Sequence, residues 1–332
     1  MYSDLQYLSV PLPEDVSKLK YFGDFDRLNR VIDLKLQKDI PLALRRRLEL
    51  EKEICALWPR EYPHTPEAAL AQLQACFTDF SAQELEQLRD LDQVEWAYVN
   101  GQVRYKNNFL SNLIKTQPRF ESQLRDPKRL RYKQENAAML NEIVARMKRE
   151  GHLSARIHMR STMTIAQGAK RADQMVTAHL PLPMEYAQVK RFHLLSCSHP
   201  DAIVAPGDFP QRTICFRAVP DRPFTVEYTY ETHMQYADPD PALVCDQQPT
   251  FYTEEYAPHM TFTPYLRMLA REIVGDEKNP LRKARRIYDF ITTKVTYCYM
   301  RAYMTMPNVS EYAAACMKGD CGVQALLFIT LC

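Results

Sequence analysis

The sequence predicts an α+β fold with several domains: a helical N-terminal domain carrying a β-hairpin, a β-sandwich in the middle, and a C-terminal domain that opens with helices. Three observations support this order. Apolar residues recur at helical spacing to about residue 125, then alternate with polar residues from 153 to 231, and helix-capping patterns return after residue 250. With 332 residues, the chain is long enough for two or three separate cores.

The helical N-terminal domain, residues 1–125, is marked by capping signals. Thr65-Pro66 places a capping residue before a proline at the first helical position. Ser81 is followed three residues later by Glu84, which is the spacing of a capping box. Asn100-Gly101 then predicts a tight hairpin near residues 96–105.

Residues 126–152 are predicted to form a charged connecting helix. Its basic run includes Lys128, Arg129 and Arg131, which could form a nucleic-acid patch, but a solvated helix face explains the run better. The net charge of the chain is only +2, and 46% of its residues are hydrophobic. We therefore expect neither nucleic acid nor a membrane as a partner.

Residues 153–247 are predicted to form the β-sandwich. Apolar and polar residues alternate over 157–165 and again over 224–231, as in strands with one buried face. Shorter runs between them suit further strands, and several short strands within a hundred residues are typical of a sandwich. A segment rich in Pro, Asp and Gln, Ala237 to Thr250, reads as a linker.

The C-terminal domain, residues 248–332, contains the candidate chemistry. Thr263-Pro264 and Asn279-Pro280 each begin a helix. Cys321 then stands between Gly319 and Gly322, although the whole chain has only eight glycines, and an apolar helix follows. Glycines at this spacing allow a sharp turn and close approach of a substrate to the backbone.

Cys321 is therefore predicted to lie at a helix N-terminus, where the dipole favours a thiolate and free N–H groups can stabilise an oxyanion. Asp320 is a suitable N-cap, but its charge opposes thiolate formation, so activation would come mainly from a histidine base. The alternative interpretation is that Cys321 is a small buried residue at a tight turn.

The segment Gly319-Asp320-Cys321-Gly322-Val323 resembles the Gly-x-Cys-x-x segment that opens the core helix of the transglutaminase-like superfamily. The preceding helix, Pro280 to Lys294, and an upstream sandwich fit the same arrangement. The resemblance implies a papain-like mechanism in which Cys321 attacks the carbonyl of a protein or peptide amide, and water or an amine resolves the acyl-enzyme.

The resemblance also implies a histidine and then an aspartate on strands after the nucleophile helix. All eight histidines precede Cys321, and the sequence ends eleven residues after it. We therefore expect only the N-terminal portion of the core, an incomplete catalytic domain completed by self-association or by a second polypeptide. A non-catalytic scaffold or binding protein with a degenerate domain is the alternative function.

The nine cysteines include no CxxC pair, and the N-terminus lacks the pattern of a secretory signal. Reduced thiols and a cytoplasmic location are expected. Cys316, Cys321 and Cys332 match no zinc-site spacing, so neither a metal nor a cofactor is predicted.

Overall fold

The structure is a computed structural model that describes residues 2–169, 174–245, 247 and 251–332. It confirms a mixture of helix and sheet, with 48% helix and 20% strand. The chain forms two compact units, one from Met1–Arg131 together with Asp240–Cys332 and the other from Tyr132–Pro239. The four-part division expected from the sequence stays a prediction.

The N-terminal part of the first unit is helical, as predicted, with one hairpin. Its elements are α1 (Glu14–Tyr21), α2 (Phe25–Leu36), α3 (Leu42–Glu61), α4 (Pro66–Cys76), α5 (Ala82–Asp90), β1 (Trp96–Val99), β2 (Gln102–Tyr105) and α6 (Phe109–Thr116). Helix α7 (Pro127–Glu150) begins in this unit and continues into the second. Thr65 and Ser81 cap α4 and α5 through their hydroxyl oxygens, which accept from the N–H groups of Ala68 and Glu84. The capping predictions are therefore confirmed.

The hairpin and the end of α7 also follow from local sequence. Asn100 and Gly101 both adopt positive φ, the conformation that a tight two-residue turn between antiparallel strands requires. Gly151 likewise has positive φ, and its N–H donates to the carbonyl of Met147 as α7 ends. These glycines set chain reversals that a residue with a Cβ would make at greater cost.

The second unit contains two three-stranded antiparallel sheets in the orders β3-β8-β5 and β4-β7-β6. The strands are β3 (His152–Met163), β4 (Val176–Pro181), β5 (Val189–Cys197), β6 (Ile203–Val204), β7 (Thr213–Ala218) and β8 (Phe224–Gln235). Side chains from both sheets, including Phe216 and Phe224, enter one hydrophobic cluster. The β-sandwich assignment of residues 153–247 stays a prediction.

The C-terminal part of the chain completes the first unit. Its elements are α8 (Pro264–Val274), α9 (Pro280–Lys294), β9 (Thr296–Tyr297), α10 (Val309–Cys316), β10 (Lys318–Gly319) and α11 (Cys321–Leu331). Both predicted caps are present, since Thr263 and Asn279 accept from N–H groups in the first turns of α8 and α9. Helix α10 is an element that the sequence patterns did not predict.

Short 3-10 segments connect several of these elements: Tyr2–Ser9, Pro118–Gln123, Gln167–Ala169, Pro241–Leu243 and Tyr303–Thr305. The predicted linker Ala237 to Thr250 falls partly outside the described residues, at positions 246 and 248–250. Within the described part of the chain, no helix combines the length and the apolar character needed to cross a bilayer.

Candidate active site around Cys321

Cys321 is the first residue of α11 and is exposed to solvent. The preceding strand β10 pairs in parallel with β9. Two backbone hydrogen bonds extend this pairing, from Thr296 N to Met317 O at 2.9 Å and from Cys298 N to Gly319 O at 3.2 Å. The backbone on the N-terminal side of the thiol is therefore held by a neighbouring segment.

Asp320 begins α11, as its residue type predicts. Its Oδ1 accepts from the N–H of Val323 at 3.0 Å and also from the hydroxyl of Tyr303. Burial raises the pKa of the Tyr303 hydroxyl, and the hydrogen bond to Asp320 raises it further. This group therefore stays a neutral donor. Two hydrogen-bond donors thus stabilise the negative charge of Asp320 beside the thiol.

The two glycines around Cys321 serve packing rather than a special backbone conformation. Neither has the positive φ that favours glycine. A Cβ on Gly319 would lie 2.5 Å from Val323 Cγ1, and a Cβ on Gly322 would overlap the Tyr303 hydroxyl. A sharp turn is therefore not what requires glycine at these two positions. Glycine is required because the protein's own side chains occupy the space beside both residues.

The remainder of α11 is fixed in the core. Val323, Leu327 and Leu331 are buried in the cluster that also holds Ile287 and Ile291 of α9. Toward the N-terminal end, Gln324 Nε2 donates to the carbonyls of Val295 and Gly319 at 3.2 and 3.3 Å. A rigid helix thus presents the thiol at its exposed N-terminal end.

The first N–H groups of α11 are oriented for anion binding. Among the described residues, no hydrogen bond uses the N–H of Cys321 or Gly322, whereas Val323 N–H is taken by Asp320. The four N–H groups at the start of a helix lack intrahelical acceptors and carry the positive end of the dipole. Two donors next to the thiol can therefore stabilise a developing oxyanion.

Tyr297 on β9 lies against the thiol. Its pKa is raised by partial burial and then by the neighbouring Cys321 and Asp320. The ammonium of Lys115, on α6, lies 4.1 Å from the centroid of the Tyr297 ring and 4.8 Å from that of Tyr299. A cation at these distances is attracted to the ring faces and helps to hold the Tyr297 ring, which neighbours Cys321.

Helix α6 also fixes the backbone after β9. The Asn112 side chain accepts from Tyr299 N at 2.7 Å and donates to Tyr299 O at 3.1 Å. Because Asn112 is buried, an apolar residue there would leave both backbone groups without partners. The N-terminal helical part therefore fixes the backbone that follows β9.

The loop before β1 also contacts the segment that precedes Cys321. Lys318, three residues before Cys321, binds Asp92 at 2.9 Å and Glu95 at 3.0 Å. Glu95 also accepts from the Tyr62 hydroxyl at 3.0 Å and lies 3.8 Å from Arg301. Burial alone would raise the pKa of Glu95, but Lys318 and Arg301 outweigh it and lower that pKa.

The sequence did not reveal these positioning residues. Asn112 is 187 positions from Tyr299, and Glu95 is 223 positions from Lys318. Neither belongs to a motif, and a single Asn or Glu in a helical region is ordinary. They are identified only by the contacts that the N-terminal and C-terminal parts of the chain make within one unit.

No hydrogen bond or ion pair in the described part of the chain joins a histidine to Cys321. The last histidine, His259, has a pKa lowered by burial, and its carbonyl accepts from the Ser310 hydroxyl. Cys332 lies at the opposite end of α11 from Cys321, about 16 Å away by helix rise. These two cysteines are thus too far apart to bind the same metal ion.

Comparisons with known proteins find a family match for one region of the chain. Residues 267–332 match the family described as the transglutaminase-like superfamily. This segment is transglutaminase-like. It begins within α8 and contains the Cys321 helix, as the resemblance in the sequence predicted.

A crystal structure of a "putative cysteine protease" from Cytophaga hutchinsonii is similar over 55% of this chain, with 18% sequence identity and a TM-score of 0.37. The match covers 65% of that chain, which is less than two thirds of its length. No curated protein matches the chain.

Proposed function

We propose that the protein is a thiol acyl-transfer enzyme in which Cys321 is the nucleophile. The observation that carries this proposal is the position of an exposed thiol as the first residue of a core helix, beside the N–H groups of Cys321 and Gly322. The transglutaminase-like match over residues 267–332 supports it. The substrate would be the amide of a protein or peptide.

In this mechanism, the Cys321 thiolate attacks the carbonyl carbon of the amide and forms a tetrahedral intermediate. The N–H groups at the start of α11 stabilise its oxyanion. The C–N bond then breaks, the amine leaves with a proton, and a thioester remains on Cys321. Water or a second amine attacks the thioester and restores the thiol.

The proton transfers require a base, and thiol enzymes of this kind use histidine. In this proposal, a second polypeptide, or a second copy of the chain, supplies the histidine and its acidic partner. We assign Asp320 a different role, since its Oδ1 accepts from the Val323 N–H and the Tyr303 hydroxyl. It begins the helix instead.

The proposal predicts that Cys321 is the fastest-reacting thiol. Cys316 and Cys332 are exposed thiols of the same chain and serve as internal controls, and free N-acetylcysteine is the reference for an ordinary thiol. Iodoacetamide labelling at pH 7, followed by peptide mass spectrometry, should modify Cys321 about tenfold faster than either, because the thiolate is the reactive form.

An activated ester such as p-nitrophenyl acetate should leave an acetyl group on Cys321, whereas Cys321→Ser should not accumulate this thioester and Cys316→Ser should retain it. Equal labelling of all three cysteines would refute the nucleophile assignment. That result would favour the alternative, a non-catalytic scaffold that retains the fold.

A further inference from the structure

A second concave site lies in the first unit, apart from Cys321. Its cavity has a volume of about 700 Å³, within the usual range for small-molecule sites. Helices α1 to α3 and strand β1 supply one side of its wall, and residues between 258 and 308 supply the other. Neither Cys321 nor Tyr297 belongs to the lining, so the site is separate from the proposed nucleophile.

Aromatic rings form much of the wall. Phe25 and Trp58 are stacked with their centroids 5.4 Å apart, and Trp96 meets Tyr98 edge-to-face at 5.3 Å. Rings already held by one another present a preformed apolar surface, and a ligand that covers them displaces water at little cost in ordering. The wall therefore favours a flat or branched apolar group.

The charged part of the lining is cationic. Lys20, Arg47 and Arg301 contribute to it, and none of the lining residues is acidic. Behind the wall, Glu51 is fully buried and binds both Lys20 at 2.8 Å and Arg47 at 2.7 Å. Two cations thus share one carboxylate, which leaves an excess positive charge at the cavity.

Several donors at this wall lack acceptors. Arg47 is only 2% exposed, and its Nε has no hydrogen-bond partner among the described residues. The same holds for Trp58 Nε1 and Arg301 Nε. A buried donor without a partner is destabilising, and more so when it is charged, so the unpaired guanidinium of Arg47 adds to the positive character of this wall.

We propose that this cavity binds a small organic carboxylate with an aromatic or branched apolar body. Its carboxylate would lie at Lys20 and Arg47, where it balances the excess charge, and its body would cover Trp58, Trp96 and Tyr98. Inorganic anions would leave the aromatic wall exposed to water. Neutral analogues would leave the second cation without a counter-charge.

The test uses 3-phenylpropionate as the probe on the whole chain, followed by isothermal titration calorimetry. Saturable binding is expected, at least tenfold tighter than that of 3-phenylpropionamide or inorganic phosphate. Lys20→Met should weaken binding about tenfold or more, yet should leave the melting temperature unchanged or higher, because Arg47 and Glu51 then form a one-to-one pair. Lys52→Met is the control, since Lys52 pairs with Asp33 outside the cavity.

Absence of saturable binding, equal affinity for the amide, or full binding by Lys20→Met would each overturn the proposal. Tyr98→Ala provides a second variant in the apolar wall, at a residue that is 49% exposed, and should weaken the probe severalfold. Cys321→Ser should bind the probe as the unmodified chain does, so this result does not depend on the proposed enzyme function.

Discussion

At the scale of single residues, the Tyr303 hydroxyl explains which residues flank the candidate nucleophile. It donates to Asp320, which begins α11, and it fills the space that a side chain at position 322 would need. Tyr303 thus constrains both neighbours of Cys321, Asp320 before it and Gly322 after it. The short motif is therefore constrained by packing as well as by chemistry.

The variant Gly322→Ala should destabilise the protein by about 1–3 kcal/mol, because the added methyl group overlaps the Tyr303 hydroxyl and nearby atoms must shift. In Tyr303→Phe that space is free, so the double variant should be more stable than the sum of the two single effects. Urea unfolding of all four proteins measures this coupling. Strict additivity would show that the hydroxyl is not the obstacle.

At the scale of elements, α6 and the loop before β1 hold the two strands next to Cys321. Asn112 fixes the chain just after β9, and Glu95 fixes Lys318 in β10. These short strands contain only two residues each, so their own hydrogen bonds are few. Contacts from the N-terminal part therefore supply the rigidity that the thiol position requires.

Glu95→Gln should lower the free energy of unfolding by about 3 kcal/mol at pH 7, since it removes one partner of a buried ion pair. Because the folded state lowers the pKa of Glu95, its stabilising effect is present above the unfolded pKa and is lost as pH falls through the folded value. The difference between the two proteins should therefore shrink below about pH 4, near the unfolded pKa of a glutamate.

Urea titrations at several pH values measure this difference. Glu86→Gln is the matched control, because Glu86 is about half exposed and pairs with Arg89 on the surface of α5. It should change stability little at any pH. A pH-independent loss in Glu95→Gln would mean that the carboxylate charge is not what stabilises the Lys318 contact.

At the scale of the whole molecule, the two ends of the chain belong to one compact unit, Met1–Arg131 with Asp240–Cys332. The transglutaminase-like segment 267–332 therefore does not stand alone, since Asn112, Asp92 and Glu95 all contact it. Such a unit is expected to unfold cooperatively, because loss of either part removes buried partners from the other.

This predicts coincident unfolding of the two parts. Hydrogen exchange at the amides of α2 and α4, read by mass spectrometry, follows the N-terminal part. Hydrogen exchange at the α11 amides, read by mass spectrometry, follows the C-terminal part. The urea midpoints should agree, and a lower midpoint for α11 would contradict a single cooperative unit.

Much of the fold follows from local sequence. Caps and tight turns act within a few residues, so they can be predicted from the sequence. Examples are the caps at Thr65, Ser81, Thr263 and Asn279 and the turn at Asn100-Gly101. The short strands β6, β9 and β10 and helix α10 were missed. Two-residue strands show no periodicity, and α10 depends on its packing in the C-terminal core.

The sequence by itself determined that Cys321 starts an apolar helix capped by Asp320, because capping and helical periodicity are local properties. Only the tertiary structure decided what surrounds the thiol: Tyr297, Tyr303, and the N-terminal residues that hold β9 and β10. Contacts between residues about 190 to 230 positions apart leave no spacing pattern in one sequence, because their pairing depends on how the whole chain packs.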